Sequence, residues 1–153
     1  MKDPYLITDK KQLKGKIIKH YSAGGYVVYK KKILLIENKD TQSVGIPKGT
    51  IKKNEDKLTT ATREIFEETG CSNLRLIKKL PSDSWSYKIP GKSIIKKTVY
   101  EFLFETTNDI ISTDHQEENE NLIPFWVDLK DADKIVTFPG TKKTIKLIQK
   151  MYF

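Results

Sequence analysis

Short apolar stretches recur along the chain, and turn-forming residues separate them. Residues 21–29 and 33–37 indicate two strands joined by a turn of three lysines at 30–32. Gly24 and Gly25 interrupt the first strand, which indicates a bulge or the close approach of another backbone. Later stretches rich in β-branched and aromatic residues predict further strands at residues 74–80, 85–89, 93–105 and 125–128.

Helical patterns occupy the middle and the end of the chain. A helix is predicted to begin near Lys57, after a cap by either Asn54 or Asp56, and to end at Gly70. A small helix is expected from residue 131 to 135, and a last helix from 141 to 152. The order of these elements predicts an α/β fold in which helices flank a mixed sheet.

The chain has 153 residues, which fits one domain over residues 1–153 with a core of reasonable size. Residues 1–15 are charged, and we expect a partly mobile segment there. They also lack the apolar run of a signal peptide. No apolar run is long enough to span a membrane. A single cysteine excludes an intrachain disulfide and agrees with a cytoplasmic location.

The formal net charge of +8 indicates an anionic partner such as a nucleotide polyphosphate, an inositol phosphate or RNA. The alternative is that the lysines only keep the protein in solution. They are spread along the chain and are not interleaved with aromatic residues in one segment. The charge alone therefore does not predict a nucleic-acid-binding domain.

Residues 49–71, which we call the box, carry the strongest chemical signal. Within the predicted helix Glu64, Glu67 and Glu68 share one face, while the apolar stripe comprises Leu58, Ala61 and Ile65. In the sequence the like charges have no basic partner on their own face, an arrangement that a structural role does not favour. A hard divalent cation such as Mg²⁺ or Mn²⁺ would remove the repulsion. The alternative is a solvated acidic face on a basic protein.

Arg63 is unusual in a chain whose basic residues are nearly all lysine, since Arg75 is the only other arginine. A planar guanidinium can hold a carboxylate through two hydrogen bonds, and an ammonium group cannot. Arginine at this position therefore indicates that one carboxylate must be fixed in orientation.

The spacing of Gly49, Glu55, the Arg63-Glu64 pair, the Glu67-Glu68 pair and Gly70 resembles the signature of the Nudix hydrolases. The resemblance implies an α/β/α sandwich and metal-dependent cleavage of pyrophosphate linkages in nucleoside diphosphate derivatives. It implies metal ligation by Glu67 and Glu68, joined by Glu64 and the carbonyl of Lys48. It also implies an ion pair of Arg63 with Glu55. Cys71 departs from the usual Ile, Leu or Val, and we expect it to pack as a small hydrophobe.

Flanking residues resemble the diadenosine tetraphosphate hydrolase branch of that family. Lys48 lies in an Ile-Pro-Lys-Gly entry to the box, and Tyr87 lies sixteen residues beyond its end. The segments at 97–103 and 137–141 are also similar to that branch. The resemblance implies cleavage of diadenosine tetraphosphate to ATP and AMP. We expect phosphate binding by Lys48, Lys88 and Lys97, and base stacking by Trp85, Tyr87 or Phe138, for each of which a core role is equally compatible.

The resemblance implies that the acidic loop at residues 114–120 supplies one more carboxylate to the metal or to catalysis. We favour Glu120 over Glu118 because Glu120 lies six residues before Trp126, the spacing found in the family. Glu64 and Glu120 both remain candidates for the general base. His115 is interpreted as a loop residue, and Trp126 as a core residue.

Three other functions remain open. The chain could be an RNA 5′-pyrophosphohydrolase, an activity of several bacterial Nudix enzymes that a basic groove leading away from the metal site would favour. It could also be a diphosphoinositol polyphosphate hydrolase, which the abundant lysines suit. It could also be a nucleotide-binding module without activity, although the intact set of box residues argues against this. We expect a monomer or a homodimer with no membrane partner.

Overall fold

A computed structural model describes residues 6–7, 16–90 and 93–153. The described elements are, in chain order, β1 (Leu6–Ile7), β2 (Ile17–Tyr29), β3 (Lys32–Asn38), β4 (Ser43–Gly45), β5 (Lys48–Thr50), α1 (Lys57–Thr69), β6 (Arg75–Lys79), β7 (Asp83–Lys88), β8 (Ile94–Glu105), β9 (Leu122–Asp128), a 3₁₀ helix (Leu129–Lys134) and α2 (Pro139–Tyr152). The predicted mobility of residues 1–15 lies outside the described residues; within that segment only β1 is described, and it pairs with β7.

The sheet is built on the parallel pairing of β2 with β8, which runs from Ile17 opposite Ile94 to Val28 opposite Glu105. The strands follow the order β1-β7-β8-β2-β3-β4, while β5, β6 and β9 pair with β2, β8 and β3. The close approach expected at Gly24 is present, because a Cβ atom there would lie 2.5 Å from Cβ of Lys48. The strand β5 thereby brings the start of the box against the centre of the sheet.

Helices cover both faces of the sheet, so the predicted α/β/α sandwich is confirmed. Alternation along each strand sends successive side chains to opposite faces. Val27 and Leu34 pack with α1 residues Ala61 and Ile65. On the other face one cluster joins the strands to the 3₁₀ helix and α2, and its members include Tyr26, Val28, Ile33, Leu35, Leu103, Leu129, Ile145 and Ile148.

Some local predictions need correction. Leu58 was assigned to the apolar stripe of α1, but it is 37% exposed because it lies in the first turn, beyond the packed part of the helix. The short strands β4 and β5 were not predicted, since three residues are too few to show a pattern. Cys71 is buried in the α1 cluster, as expected for a small hydrophobe.

Within the described ranges, the helices are all too short or too polar to cross a lipid bilayer.

Candidate active site

The helix α1 positions the acidic residues of the box, and both of its ends are capped. At its start Asp56, one of the two predicted caps, accepts a hydrogen bond of 2.7 Å from the Thr59 amide. At its end Gly70 adopts a φ angle of 72° and donates its amide to the Phe66 carbonyl at 2.8 Å. Burial of Ala61 and Ile65 fixes the rotation of the helix about its axis.

Arg63 holds Glu55 through two hydrogen bonds. Its Nε donates to Oε2 of Glu55 at 2.7 Å, and its Nη2 donates to Oε1 at 2.9 Å. The Nη2 group also donates to the Thr50 carbonyl at 3.1 Å. Hydrogen bonds from Arg63 and from the Thr60 hydroxyl lower the pKa of Glu55 to about 2. The guanidinium therefore ties the loop before α1 to the helix itself.

The same guanidinium also neutralises part of the acidic face, contrary to the sequence interpretation. Its Nη1 donates to Glu64 Oε1 at 2.8 Å and to Glu67 Oε2 at 3.2 Å. Arg63 and Glu67 are one helical turn apart, so their side chains meet on the helix surface. Two of the three helix carboxylates are thus held by a basic residue of their own helix.

Glu68 differs from its neighbours because it is buried, with 3% of its surface exposed. The Lys48 amide donates to its Oε1 at 2.8 Å, which places the backbone of Lys48 beside the carboxylate. Burial raises the pKa of Glu68 to about 9, and the charges of Glu64 and Glu120 add to the rise. Glu120, from the loop before β9, therefore approaches the acidic residues of α1.

Gly49 gives Glu64 the space that it occupies. A Cβ atom at Gly49 would collide with all three atoms of the Glu64 carboxylate group. Burial raises the pKa of Glu64, while Arg63 acts in the opposite direction. The glycine at the start of the box is thus required by direct contact with a candidate catalytic residue.

The donor chemistry of this region fits a hard divalent cation. Glu64, Glu67, Glu68 and Glu120 offer only oxygen atoms, which Mg²⁺ and Mn²⁺ prefer. Among the described residues, the buried Glu68 carboxylate accepts a hydrogen bond from the Lys48 amide and none from a cationic side chain. In the part of the chain that the structure describes, however, no three acidic, histidine or cysteine side chains are already arranged around one point. Because Glu64 and Glu67 bond to Arg63, an ion would have to draw their free oxygens inward.

A cleft of about 810 Å³ opens beside two of these four carboxylates, and Glu64 and Glu67 are not among its lining residues. Its lining includes Glu68 and Glu120 and, from the predicted substrate-binding set, Lys48, Tyr87, Lys97 and Phe138. Trp85 also lines it. The ammonium of Lys48 lies 5.0 Å from the centre of the Trp85 ring, and that of Lys97 lies 5.5 Å from the centre of the Tyr87 ring.

Lys88 does not fit its predicted role in phosphate binding. It is exposed and is absent from the residues that line the cleft. Tyr87 and Trp85 face the cleft, so alternation along β7 directs Lys88 to the opposite face of the sheet. The sequence spacing could not reveal this because it does not give the direction of each side chain.

Two further acids in the cleft, Asp83 and Glu101, were missed. Glu101 is 4% exposed and accepts hydrogen bonds from the Tyr26 hydroxyl at 3.3 Å and from the Thr144 hydroxyl at 3.5 Å. Burial and the charge of Asp83 raise the pKa of Glu101 to about 7. The available signal was a single acidic residue within the otherwise apolar stretch that ends β8.

The two other residues considered in the sequence, His115 and Trp126, pack against neighbouring side chains. The ring of His115 stacks on Phe66, with 4.4 Å between the ring centres. Trp126 packs against the α1 cluster and donates its indole N–H to the Asp109 carbonyl at 3.0 Å. The assignments of His115 to the loop and of Trp126 to the core agree with these contacts.

Comparison with known proteins relates this arrangement to a family. A Nudix domain model matches residues 18–150. RNA pyrophosphohydrolases from Pelagibacter ubique (strain HTCC1062) and Bartonella bacilliformis are 34% and 30% identical to the chain. The first match covers 61% of this chain and 65% of the relative, and the second covers 59% and 60%. The matched part is thus less than two thirds of the length of each curated relative.

Solved structures agree on the fold. An Ap4A hydrolase from C. elegans, in a binary complex, superposes with a TM-score of 0.66 at 22% identity over 87% of this chain and 97% of that one. The E. coli dihydroneopterin triphosphate pyrophosphohydrolase gives a TM-score of 0.66 at 16% identity over 83% and 92%. Since the domain model extends over most of the sequence and these folds agree, the chain belongs to the Nudix domain family.

Proposed function

We propose that this chain is a metal-dependent pyrophosphohydrolase of nucleoside polyphosphates that acts in the cytoplasm. Diadenosine tetraphosphate, cleaved to ATP and AMP, is the first candidate substrate. The observation that carries the proposal is that one cleft is lined by the buried carboxylate of Glu68, by Glu120, by two lysines and by three aromatic rings. Carboxylates suit a metal ion, lysines suit phosphates, and aromatic rings suit bases.

Glu64, Glu67, Glu68 and Glu120, together with the carbonyl of Lys48, would hold Mg²⁺ or Mn²⁺. The ion would stabilise negative charge on the phosphoryl oxygens and make a bound water more acidic. Arg63 does not contact the substrate in this proposal. It orients Glu64 and Glu67 through Nη1 while its other nitrogens hold Glu55.

The proton of the attacking water would pass to a carboxylate oxygen of Glu64 or Glu120. Glu64 is favoured by its fixed position, since Gly49 lies directly beneath it and Arg63 holds Oε1, which leaves Oε2 to accept a proton. Its pKa is raised by burial, which makes the ionised form a better proton acceptor. Glu120 remains the alternative because it lines the cleft directly.

The aromatic side chains would fix one adenosine, and the lysines would fix the phosphates. Phe138 is 50% exposed at the start of α2, so its ring is available for stacking, and Tyr87 and Trp85 meet edge to face. Lys48 and Lys97 would hold the phosphates that do not react. An adenosine held on one side places an off-centre phosphorus near the carboxylates, which accounts for an asymmetric cleavage.

The test is a substrate panel with Mg²⁺ or Mn²⁺ in ¹⁸O-labelled water, with products separated by chromatography and the label located by mass spectrometry. The panel contains diadenosine tetraphosphate, 5′-triphosphorylated RNA and a diphosphoinositol polyphosphate. We expect ATP and AMP from the first compound. ADP as the only product would contradict asymmetric cleavage. Nucleotide binding without turnover of any compound would indicate a binding module.

A second candidate, RNA 5′-pyrophosphohydrolase activity, is favoured by the curated relatives, both of which are RNA pyrophosphohydrolases. The reacting group would be the same, because a 5′-triphosphate end also presents a phosphoanhydride next to a nucleoside. Release of pyrophosphate from triphosphorylated RNA, without turnover of diadenosine tetraphosphate, would select this candidate over the first.

A further inference from the structure

An open groove of about 730 Å³ lies on the α1 side of the sheet, separate from the cleft. We call it the outer groove, and its lining includes Tyr21, Ile51, Lys57, Leu58, Lys79 and Tyr100. None of these six residues has a role in the proposed reaction. The groove meets the candidate active site at one edge, which the loop before α1 forms. The groove is broad and shallow, so it suits an extended ligand better than an enclosed small molecule.

Two tyrosines form an aromatic surface in the outer groove. The rings of Tyr21 and Tyr100 are nearly parallel, with 15° between their planes and 6.3 Å between their centres. Tyr21 is 42% exposed. A flat, accessible aromatic ring on a sheet is suited to stacking with the bases of a single strand, because every base has an aromatic face.

Lysines surround this aromatic surface. The ammonium of Lys57 lies 3.8 Å from the centre of the Tyr100 ring, and Lys79 lines the same groove. Lys19 and Lys96 are register partners on β2 and β8, and both are exposed. Alternation places Lys19 on the same face as Tyr21, and Lys96 on the same face as Tyr100. Lys57 and Lys79 thus line the groove with the two rings, while Lys19 and Lys96 continue the same face of the sheet beyond them.

The acidic groups that line the groove are already engaged. Glu55 is bound to Arg63, and Asp56 caps the first turn of α1. Their charges are thus directed at the guanidinium and the helix amides. In the described part of the chain, no carboxylate forms an ion pair with the lysines of this face, so their ammonium groups can meet phosphates. Among the described residues, the charge left unpaired on this face is positive, which is complementary to a nucleic acid backbone and unfavourable for a cationic partner.

The outer groove also adjoins the candidate active site through the loop before α1. Glu55 lines the groove and is held by Arg63, which in turn contacts Glu64 and Glu67. A strand whose 5′ end lies at the acidic residues can therefore continue across the start of α1 into the groove.

We infer that the outer groove binds single-stranded RNA, with bases stacked on Tyr21 and Tyr100 and phosphates held by Lys57, Lys79, Lys19 and Lys96. This inference extends the second candidate function, since it gives a place for the RNA chain beyond its 5′ end. Binding to the groove does not require catalysis and is measured without it.

The test uses the full chain and a fluorescent 12-nucleotide RNA with a 5′-hydroxyl end, in EDTA, followed by fluorescence anisotropy. This RNA has no 5′ phosphates, so its binding is independent of the metal and the reaction, and the Tyr21 and Lys57 variants report on the groove. We expect Tyr21→Ala to weaken binding about 5- to 150-fold, as for the loss of one base stack. Tyr21→Phe should bind like the wild type. Lys57→Gln should reduce the slope of log affinity against log salt by about 0.7.

Matched controls come from the opposite side of the molecule. Phe153 is 65% exposed and also has a lysine ammonium, that of Lys31, 5.5 Å from its ring centre. Phe153→Ala and Lys143→Gln should therefore leave RNA affinity unchanged. If the wild type does not bind at low salt, or if Tyr21→Ala binds as well as the wild type, the inference is wrong. Equal binding of double-stranded RNA would reduce it to general electrostatic attraction and would also overturn it.

A kinetic experiment distinguishes this inference from the proposed reaction. If triphosphorylated RNA is a substrate, Tyr21→Ala should raise KM for a 12-nucleotide RNA and leave the kinetics on a mononucleotide or diadenosine tetraphosphate unchanged. An equal effect on all substrates would place Tyr21 in the reaction and contradict the groove. If RNA is not hydrolysed, the anisotropy measurement decides alone.

Discussion

Arg63 and Glu55 form a planar pair in which two guanidinium nitrogens meet the two carboxylate oxygens at 2.7 Å and 2.9 Å. The remaining nitrogen of Arg63 is thereby aimed at Glu64 and Glu67. One side chain sets the position of the loop before α1 and of two candidate metal ligands, which makes its geometry as important as its charge.

Arg63→Lys should lower kcat/KM by roughly 10- to 100-fold, since small displacements of catalytic groups have effects of this size. The lysine keeps the charge but cannot satisfy three carboxylates at once. Steady-state kinetics on the preferred substrate of the panel provide the measurement. Arg75→Lys is the matched control, because Arg75 is exposed and, among the residues that the structure describes, its ion pair is with Glu105 at the surface. Kinetics within twofold of the wild type for Arg63→Lys would show that the paired hydrogen bonds are unimportant.

Gly49→Ala should abolish most activity while the fold is retained. The added methyl group would collide with the Glu64 carboxylate and push it from its place. Circular dichroism and kinetics measure the two effects. Gly45→Ala, in β4, should be nearly neutral, because apart from its chain neighbours no atom of the described residues lies within 4 Å of the new methyl group. Equal activity of the two variants would mean that the position of Glu64 is not critical.

Glu68→Gln should lower kcat by about 10²–10³-fold, the size found when an electrostatic contact to the transition state is lost. In EDTA its melting temperature should be at least that of the wild type, because the buried carboxyl group no longer carries the cost of desolvation. The melting temperature should also rise less on addition of Mg²⁺ or Mn²⁺. Glu118→Gln, in the exposed loop, serves as the control. Near wild-type turnover would contradict the metal assignment.

Glu101 should make stability depend on pH. Its pKa rises from 4.5 to about 7 on folding, so the folded state binds more protons than the unfolded state between these values. The free energy of unfolding therefore falls as pH rises through this window. Glu101→Gln should lack this contribution. The free energy of unfolding of the variant, minus that of the wild type, should therefore increase by up to ~3 kcal/mol between pH 4.5 and 8. Urea unfolding in EDTA measures the difference. A constant difference would show that Glu101 has an ordinary pKa.

The sequence was sufficient for the parts of the site that depend on local geometry. The caps and spacing of α1 follow from neighbouring residues, and the structure places that helix at Lys57–Thr69. The fold class could also be predicted, because helices and strands differ in the spacing of their apolar residues along the chain.

Relations between distant segments could not be predicted. Tyr21 and Tyr100 come from strands β2 and β8, and only the parallel register brings them together. Likewise Glu101 and Asp83 share the cleft through the pairing of β7 with β8. The ion pair of Arg63 with Glu55 was expected from the resemblance, but the contacts of Arg63 with Glu64 and Glu67 were missed. Spacing identifies possible partners but does not show which nitrogen faces which oxygen.

The pairing of β2 with β8 has a consequence for biosynthesis. The ladder between β2 and β8 cannot begin to form until Ile94, the register partner of Ile17, has been synthesised. At a synthesis rate of 5–20 residues per second this interval lasts ~4 to 15 s. The box is made during that time, while the sheet on which α1 packs consists of β2 and β3 and still lacks β8. Long-range pairing of this kind slows folding, so the nascent chain must keep the apolar edges of β2 and β3 from associating with other chains until β8 arrives.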